Sequence, residues 1–271
     1  MCYDGKKREE GRAMRLGLST AAFYGQWETE EAAARLSRMP IDCAEAFLQT
    51  PSEYGAYFGA LVRQSLGPVA CTSVHPMGTQ FENQLSGRSP RQRRDAFDML
   101  RRVLDAAAAL GAGMYVYHGR STPLLSPLPW NLEVIAAMQE EAAARGVTIA
   151  WENVCWCQLT TAQRVREARQ AAPWLRFTLD IKKAMRAGEN PILMARAMGE
   201  ALCNVHVCDW DAVGALCLPG EGVFDFGALF AALREIGYCG PVILEPYLAL
   251  IRSDEALLRS LSFLREGMKM D

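Results

Sequence analysis

Four residues of this chain have side chains that bind hard cations and move protons, and each closes a short apolar run. Val147-Thr148-Ile149-Ala150-Trp151 stops at Glu152, with Asn153 behind it. Phe177-Thr178-Leu179 runs into Asp180, and Val242-Ile243-Leu244 runs into Glu245. Asn204-Val205-His206 is a similar run that carries an imidazole. A carboxylate at the exit of a buried strand is costly unless something pairs with it. Glu152, Asp180, His206 and Glu245 gathered around one divalent cation would meet that need, and oxygen donors with an imidazole suit Mn²⁺, Mg²⁺, Zn²⁺ or Co²⁺. A cation chelating two adjacent sugar oxygens acidifies the C–H between them and stabilises an enediolate. Glu152 and Glu245, on opposite sides of such a substrate, can take a proton from one face and return one on the other. That chemistry is epimerisation or aldose–ketose isomerisation of a small-molecule sugar or sugar phosphate.

The chain has only three histidines, His75, His118 and His206, and all three fall at or near the ends of apolar runs. A lone histidine beside a strand is more often a satisfied core residue than a ligand. Three of them, close to three carboxylates, favour the ligand reading for His206. His75 and His118 stay open between substrate contacts and ligands to a second metal. Asn153 and Asp209 are candidates for supporting the ligands from behind or for holding sugar hydroxyls, Glu45 is a weaker candidate for the same tasks, and Trp156 is a candidate for stacking on an apolar sugar face.

The elements that must position these residues alternate through the chain. Strand patterns cover 15–19, 41–47, 69–74, 114–117, 147–151, 176–179, 201–208 and 242–244. Helical patterns cover 28–38, 52–65, 90–110, 130–145, 161–171, 182–187 with 192–198, 226–236 and 254–267. Ser89-Pro90 is a helix start, and Gly111 and Gly113 stop that helix. Strict alternation implies a parallel sheet with helical crossovers. Eight such units in 271 residues imply a single (β/α)8 TIM barrel over residues 14–271, with its chemistry at the C-terminal ends of the strands. The rival, an open doubly wound sheet, usually has a Gly-rich turn after its first strand, and Ser19-Thr20-Ala21-Ala22 has none.

Residues 1–13 read as a polar leader of the kind that is often disordered; no apolar segment follows their basic residues, so they are not a secretory signal. The formal net charge of −2 offers no basic excess for a nucleic acid. No apolar run reaches the ~18 residues of a membrane span. Nine cysteines, odd in number and without a signal peptide, imply reduced thiols and a cytoplasmic protein. Cys155 and Cys157 form a C-x-C, read as small buried hydrophobes in preference to a soft metal site.

The order of short motifs resembles the xylose isomerase-like barrel superfamily, which includes sugar phosphate isomerases/epimerases and AP endonuclease family 2. The motifs are Ser73-Val74-His75-Pro76, Tyr117-His118-Gly119, Trp151-Glu152-Asn153-Val154, Leu179-Asp180-Ile181-Lys182-Lys183-Ala184, Val205-His206-Val207-Cys208-Asp209, Leu218-Pro219-Gly220-Glu221-Gly222 and Gly240-Pro241-Val242-Ile243-Leu244-Glu245. In the ketose 3-epimerase branch, the positions matching Glu152, Asp180, His206 and Glu245 bind one divalent metal, and the two glutamates are the acid/base pair. A substrate-binding histidine of that branch lies three residues after the metal aspartate, where this chain has Lys183. A lysine there can anchor a sugar oxygen or an anionic group, act as the electrophile, or occupy the space of the metal. In the endonuclease IV branch, matches to His75 and His118 help hold three zinc ions. That cluster also needs a histidine at position 183 and an Asp/His pair after strand seven; residues 209–221 contain no histidine. The resemblance thus implies a metal-dependent sugar isomerase or epimerase with Lys183 in its site. A hydrolase or lyase with a second metal, or a non-catalytic sugar-binding barrel in which Lys183 replaces the metal, are the alternatives. Barrels of this type often pair through rim loops, so a homo-oligomer is compatible with the fold.

Overall fold

The computed structural model describes residues 13–121 and 127–269. The polar leader therefore lies outside the described residues, except for Ala13. Eight parallel strands close into a barrel: β1 (Arg15–Ser19), β2 (Cys43–Leu48), β3 (Ala70–Pro76), β4 (Met114–Tyr117), β5 (Thr148–Glu152), β6 (Arg176–Asp180), β7 (Leu202–Val207) and, after a two-stranded hairpin of β8 (Asp209–Trp210) and β9 (Leu216–Cys217), β10 (Pro241–Leu244). Each barrel strand pairs with its chain neighbours, and β10 returns to β1. The TIM barrel read from the alternating pattern is the fold observed.

Between the strands run α1 (Thr29–Leu36), α2 (Ala56–Ser65), α3 (Glu82–Leu85), α4 (Pro90–Leu110), α5 (Leu128–Ala143), α6 (Ala162–Ala171), α7 (Ile181–Arg186), α8 (Pro191–Met198), α9 (Phe226–Glu235) and α10 (Asp254–Lys269). Their apolar stripes, including Leu36, Val62, Leu100, Leu104, Met138, Val165, Met194 and Leu261, are buried against the outward side chains of the strands. The long helix α4 has the bounds its punctuation implies. Ser89 Oγ accepts from the Gln92 amide, Pro90 fits the first turn, and Gly111 takes a left-handed φ of 81° at the C-cap.

Three strands differ from the patterned bounds in a way that matters. β3 continues through His75 and Pro76, β5 includes Glu152 and β6 includes Asp180. Polar residues there keep strand geometry because they face the barrel axis, where other polar groups meet them. The loop expected over 209–222 contains the β8–β9 hairpin. Among the described residues, no helix is long and apolar enough to cross a membrane.

Helix α2 approaches α4 so closely at Gly59 that a Cβ there would overlap the carbonyl oxygen and Cα of Ala106. Backbone cannot yield as a flexible side-chain tip can, so one methyl overpacks this contact. Gly59→Ala is expected to destabilise the protein by ~1–3 kcal/mol, read as a lower midpoint in chemical unfolding. Gly113→Ala, where nothing lies within 4 Å of the new methyl, serves as the near-neutral control.

Candidate active site

The barrel order makes β5, β6, β7 and β10 consecutive neighbours. Glu152, Asp180 and His206 therefore stand at the same end of three adjacent strands, with Glu245 directly after the fourth. Asp180 is the register partner of His206. His206 is the hub. Its Nδ1 lies 3.0 Å from Glu152 Oε1 and 3.6 Å from Glu245 Oε2. Its Nε2 lies 3.0 Å from Glu45 Oε2, which also accepts from Ser73 Oγ at 2.7 Å and Asn204 Nδ2 at 3.2 Å. Period-2 alternation along β7 turns Asn204 and His206 inward together, and Glu45 meets them from β2 across the barrel.

His75 and His118 join the same cluster from β3 and from the end of β4. His75 Nδ1 is 3.3 Å from Glu245 Oε1 and 3.6 Å from Glu45 Oε1. Its Nε2 is 2.7 Å from His118 Nε2, which is also 2.8 Å from Glu152 Oε2 and 3.1 Å from Lys183 Nζ. A single ring nitrogen carries either a proton for Glu152 or a lone pair for Lys183. It cannot satisfy both contacts in any protonation state. Gly119, with a φ of 85°, turns the chain away immediately after His118, and a Cβ there would press on the Trp151 indole.

Lys183 is central. Its Nζ donates to Glu152 Oε2 at 2.7 Å and lies 3.6 Å from Asp180 Oδ2. Asp180 places it there: Asp180 Oδ1 caps α7 by accepting from the Lys183 amide at 2.9 Å, which folds the lysine back over the site. The other oxygen, Asp180 Oδ2, is buried and accepts no hydrogen bond. A second lysine, Lys182, donates to Glu245 Oε2 at 3.0 Å and to the Glu245 backbone oxygen at 3.1 Å, beneath the Tyr247 ring. Lys182 is not among the residues that the sequence marks for the site. The only signal available was its place beside Lys183 in the first turn after a strand.

The electrostatics follow from this crowding. Burial alone would raise the pKa of Glu152, but the Lys183 ammonium and His118 outweigh it and hold the carboxyl well below its ordinary range. Burial is likewise outweighed at Glu245 by Lys182 and His206, and at Glu45 by His206. The same carboxylates raise His75 to about 9 and keep His206 protonated well above its usual range, against burial in both cases. His118 is pushed the other way, down to about 4, by burial and by the Lys183 charge. Both lysines are held charged, so neither is a free amine able to act as a base or form an imine in this arrangement. Glu82 sits beside the cluster, accepting from Tyr115 Oη at 2.9 Å and from the His118 amide at 3.2 Å. Burial lifts its pKa to about 8.

The remaining candidates lie around this cluster. Asn153 clamps β5 to β6: its Nδ2 donates to the Asp180 carbonyl at 2.9 Å, and its Oδ1 accepts from the Asp180 amide at 2.8 Å. Asp209 is 1% exposed and holds the following loop. Oδ1 accepts from the amides of Trp210 and Phe224, and Oδ2 from those of Gly220 and Gly222, at 2.7–3.2 Å. Gly222 is required there, because a Cβ would overlap the Asp209 carboxylate. Trp156 is 42% exposed. Cys155 and Cys157 are free thiols, and Cys157 Sγ donates to the Gly119 carbonyl.

A dication fits the donors present. Glu152, Asp180 and His206 each offer a ligand atom, all within 4.8 Å of one another and all buried. Asp180 Oδ2 is a buried oxygen without a hydrogen bond in their midst. Two further groups, Glu45–His75–His206–Glu245 and His75–His118–Glu152, meet the same distance condition. The expected quartet is thus divided between two overlapping groups, with His206 in both.

Removal of the Asp209 carboxylate leaves four backbone amides without their acceptor. Asp209→Ala is expected to speed hydrogen exchange at Gly220, Gly222 and Phe224 by about tenfold or more, as loss of charged hydrogen bonds implies. Unchanged protection by mass spectrometry would refute this loop-holding role.

Residues 33–267 match the family described as xylose isomerase-like TIM barrel. An uncharacterized protein of Mycobacterium leprae is 25% identical over 287 residues, covering 93% of this chain and 97% of the other. An L-ribulose-5-phosphate 3-epimerase of Salmonella paratyphi C is 37% identical over 75 residues, 27% of this chain and 26% of that one. The crystal structure of a D-psicose 3-epimerase in the presence of D-fructose superposes with a TM-score of 0.78 at 17% identity, covering 95% of this chain and 100% of the other. With the closed barrel, the position of the cluster and a match over most of its length, this chain belongs to the xylose isomerase-like TIM barrel family.

Proposed function

We propose that this protein is a metal-dependent isomerase or epimerase of a sugar or sugar phosphate, working by proton transfer through an enediolate. The observation that carries the reading is the pair of buried carboxylates, Glu152 and Glu245, that converge on one imidazole nitrogen, His206 Nδ1, at 3.0 and 3.6 Å. The names of the epimerases similar in local sequence or in fold point the same way. Glu152, Asp180, His206 and Glu245 would hold the ion, which when bound supplies Lewis acidity to adjacent sugar oxygens. Glu45 on Nε2 fixes the His206 ring with Nδ1 toward Glu152, and Nδ1 would give up its proton to become a ligand. Glu152 and Glu245 exchange the proton at the carbon between those oxygens, one on each face. Lys182 keeps Glu245 oriented through the carbonyl and carboxylate of that same residue. Lys183 and His118 lie where they can donate to a substrate oxygen, and His118, with 18% of its side chain exposed, marks the way in from solvent.

One observation favours a second reading. His75, His118 and Glu152 form a ligand group of their own, which would suit a second ion and a hydrolase or lyase. Metal content decides between the two: one ion per chain supports the epimerase, and two or three support the hydrolase.

Glu152→Gln and Glu245→Gln keep shape but cannot take up a proton. With a panel of ketoses and ketose phosphates in D₂O, the parent protein is expected to wash deuterium into one substrate carbon. Each variant should lose this exchange by about 10²-fold or more, the scale of general acid–base catalysis. Full exchange in both variants would remove the two glutamates from the mechanism.

A further inference from the structure

The place that best suits a cation is already held by one. Lys183 Nζ is 2.7 Å from Glu152 Oε2 and 3.6 Å from Asp180 Oδ2, and these are two of the three side chains whose donor atoms lie within 4.8 Å of one another. An ammonium and a dication at that oxygen pair compete for its lone pairs, and their charges repel. We propose that Lys183 is a resident counter-cation that a divalent ion must displace, so that one side chain keeps Glu152 and Asp180 together without metal and leaves the donor ring when metal enters. This rests on the metal-dependent reading above.

The stem permits the movement. The α7 backbone stays fixed by the Asp180 cap, while four methylenes carry Nζ, which already touches His118 Nε2 at 3.1 Å on the side of the cluster open to solvent. Lys182 is held differently. It binds the backbone oxygen of Glu245 at 3.1 Å and lies 5.0 Å from the Tyr247 ring centre. Neither contact is lost when an ion takes a carboxylate oxygen, so Lys182 stays. The two adjacent lysines therefore have separate tasks, one exchangeable and one fixed.

The test compares Mn²⁺ binding to the parent protein and to Lys183→Met by equilibrium dialysis. The expected result is at least tenfold tighter binding in the variant; binding by the variant alone is the same effect taken further. Equal or weaker binding by Lys183→Met, with the parent still binding, overturns the displacement and leaves the metal-dependent reading intact. Binding by neither protein overturns both. If the variant does not fold without metal, a crystal structure of the parent protein with Mn²⁺ takes its place. Anomalous scattering at Glu152, Asp180 and His206 with Lys183 Nζ beyond hydrogen-bond reach of Glu152 supports the proposal, and Nζ still on Glu152 Oε2 beside the ion refutes it. No anomalous scattering there at saturating Mn²⁺ removes the metal reading and the displacement together.

Discussion

The ion pair between Lys183 and Glu152 is the constraint around which the barrel mouth is arranged. Four carboxyl groups, Glu45, Glu152, Asp180 and Glu245, are buried there together. Left alone, their charges would be too costly to desolvate. Two ammonium groups and the raised imidazoles of His75 and His206 make the cluster tolerable. Removing one partner of such a pair typically costs about 3–5 kcal/mol, because the other charge stays buried. The stability of this end of the barrel and the chemistry of its mouth therefore draw on the same contacts.

Much of the surrounding backbone serves to keep those contacts in register. Asp180 closes β6, caps α7 and offers a free oxygen to the cluster, all from one side chain. Asn153 acts as an extra rung between β5 and β6, since its amide pairs with both backbone groups of Asp180. Glu45 reaches across the barrel to fix His206 while Ser73 fixes Glu45. Asp209 draws the segment through Phe224 into one tight loop beside the mouth. Each is a polar group that turns a strand terminus into a defined position, as preorganised sites require.

The fold was legible because its signals are local. Strand–helix alternation, the Ser89-Pro90 start and the Gly111 stop can all be read within a few residues. The bounds of α4 and of β1 and β4 agree with them. That Glu152, Asp180, His206 and Glu245 share one rim was also legible, since strand ends meet there in a barrel; their division into two overlapping ligand groups was not. What could not be read is who pairs with whom. Lys182 meets Glu245 across 63 residues, and His206 meets Glu45 across 161. The types of Asp209 and Asn153 suit both supporting a site and binding hydroxyls. Their oxygens accept particular backbone amides, and which ones composition cannot reveal.

The lysine at position 183 also separates two properties that a histidine there would combine. A neutral imidazole can accept as well as donate, and it adds no charge to the carboxylates. An ammonium only donates, and it lowers the basicity of both glutamates that the proposed reaction would use as bases. Lys182 does the same to Glu245 at 3.0 Å. The two carboxylates are then unequal: the cation on Glu245 is anchored to that residue's own backbone, whereas the cation on Glu152 meets only the side chains of Glu152, Asp180 and His118. In a two-base proton transfer, that asymmetry makes Glu152 the carboxylate whose basicity depends on what occupies the site, and Glu245 the one whose basicity the fold has set.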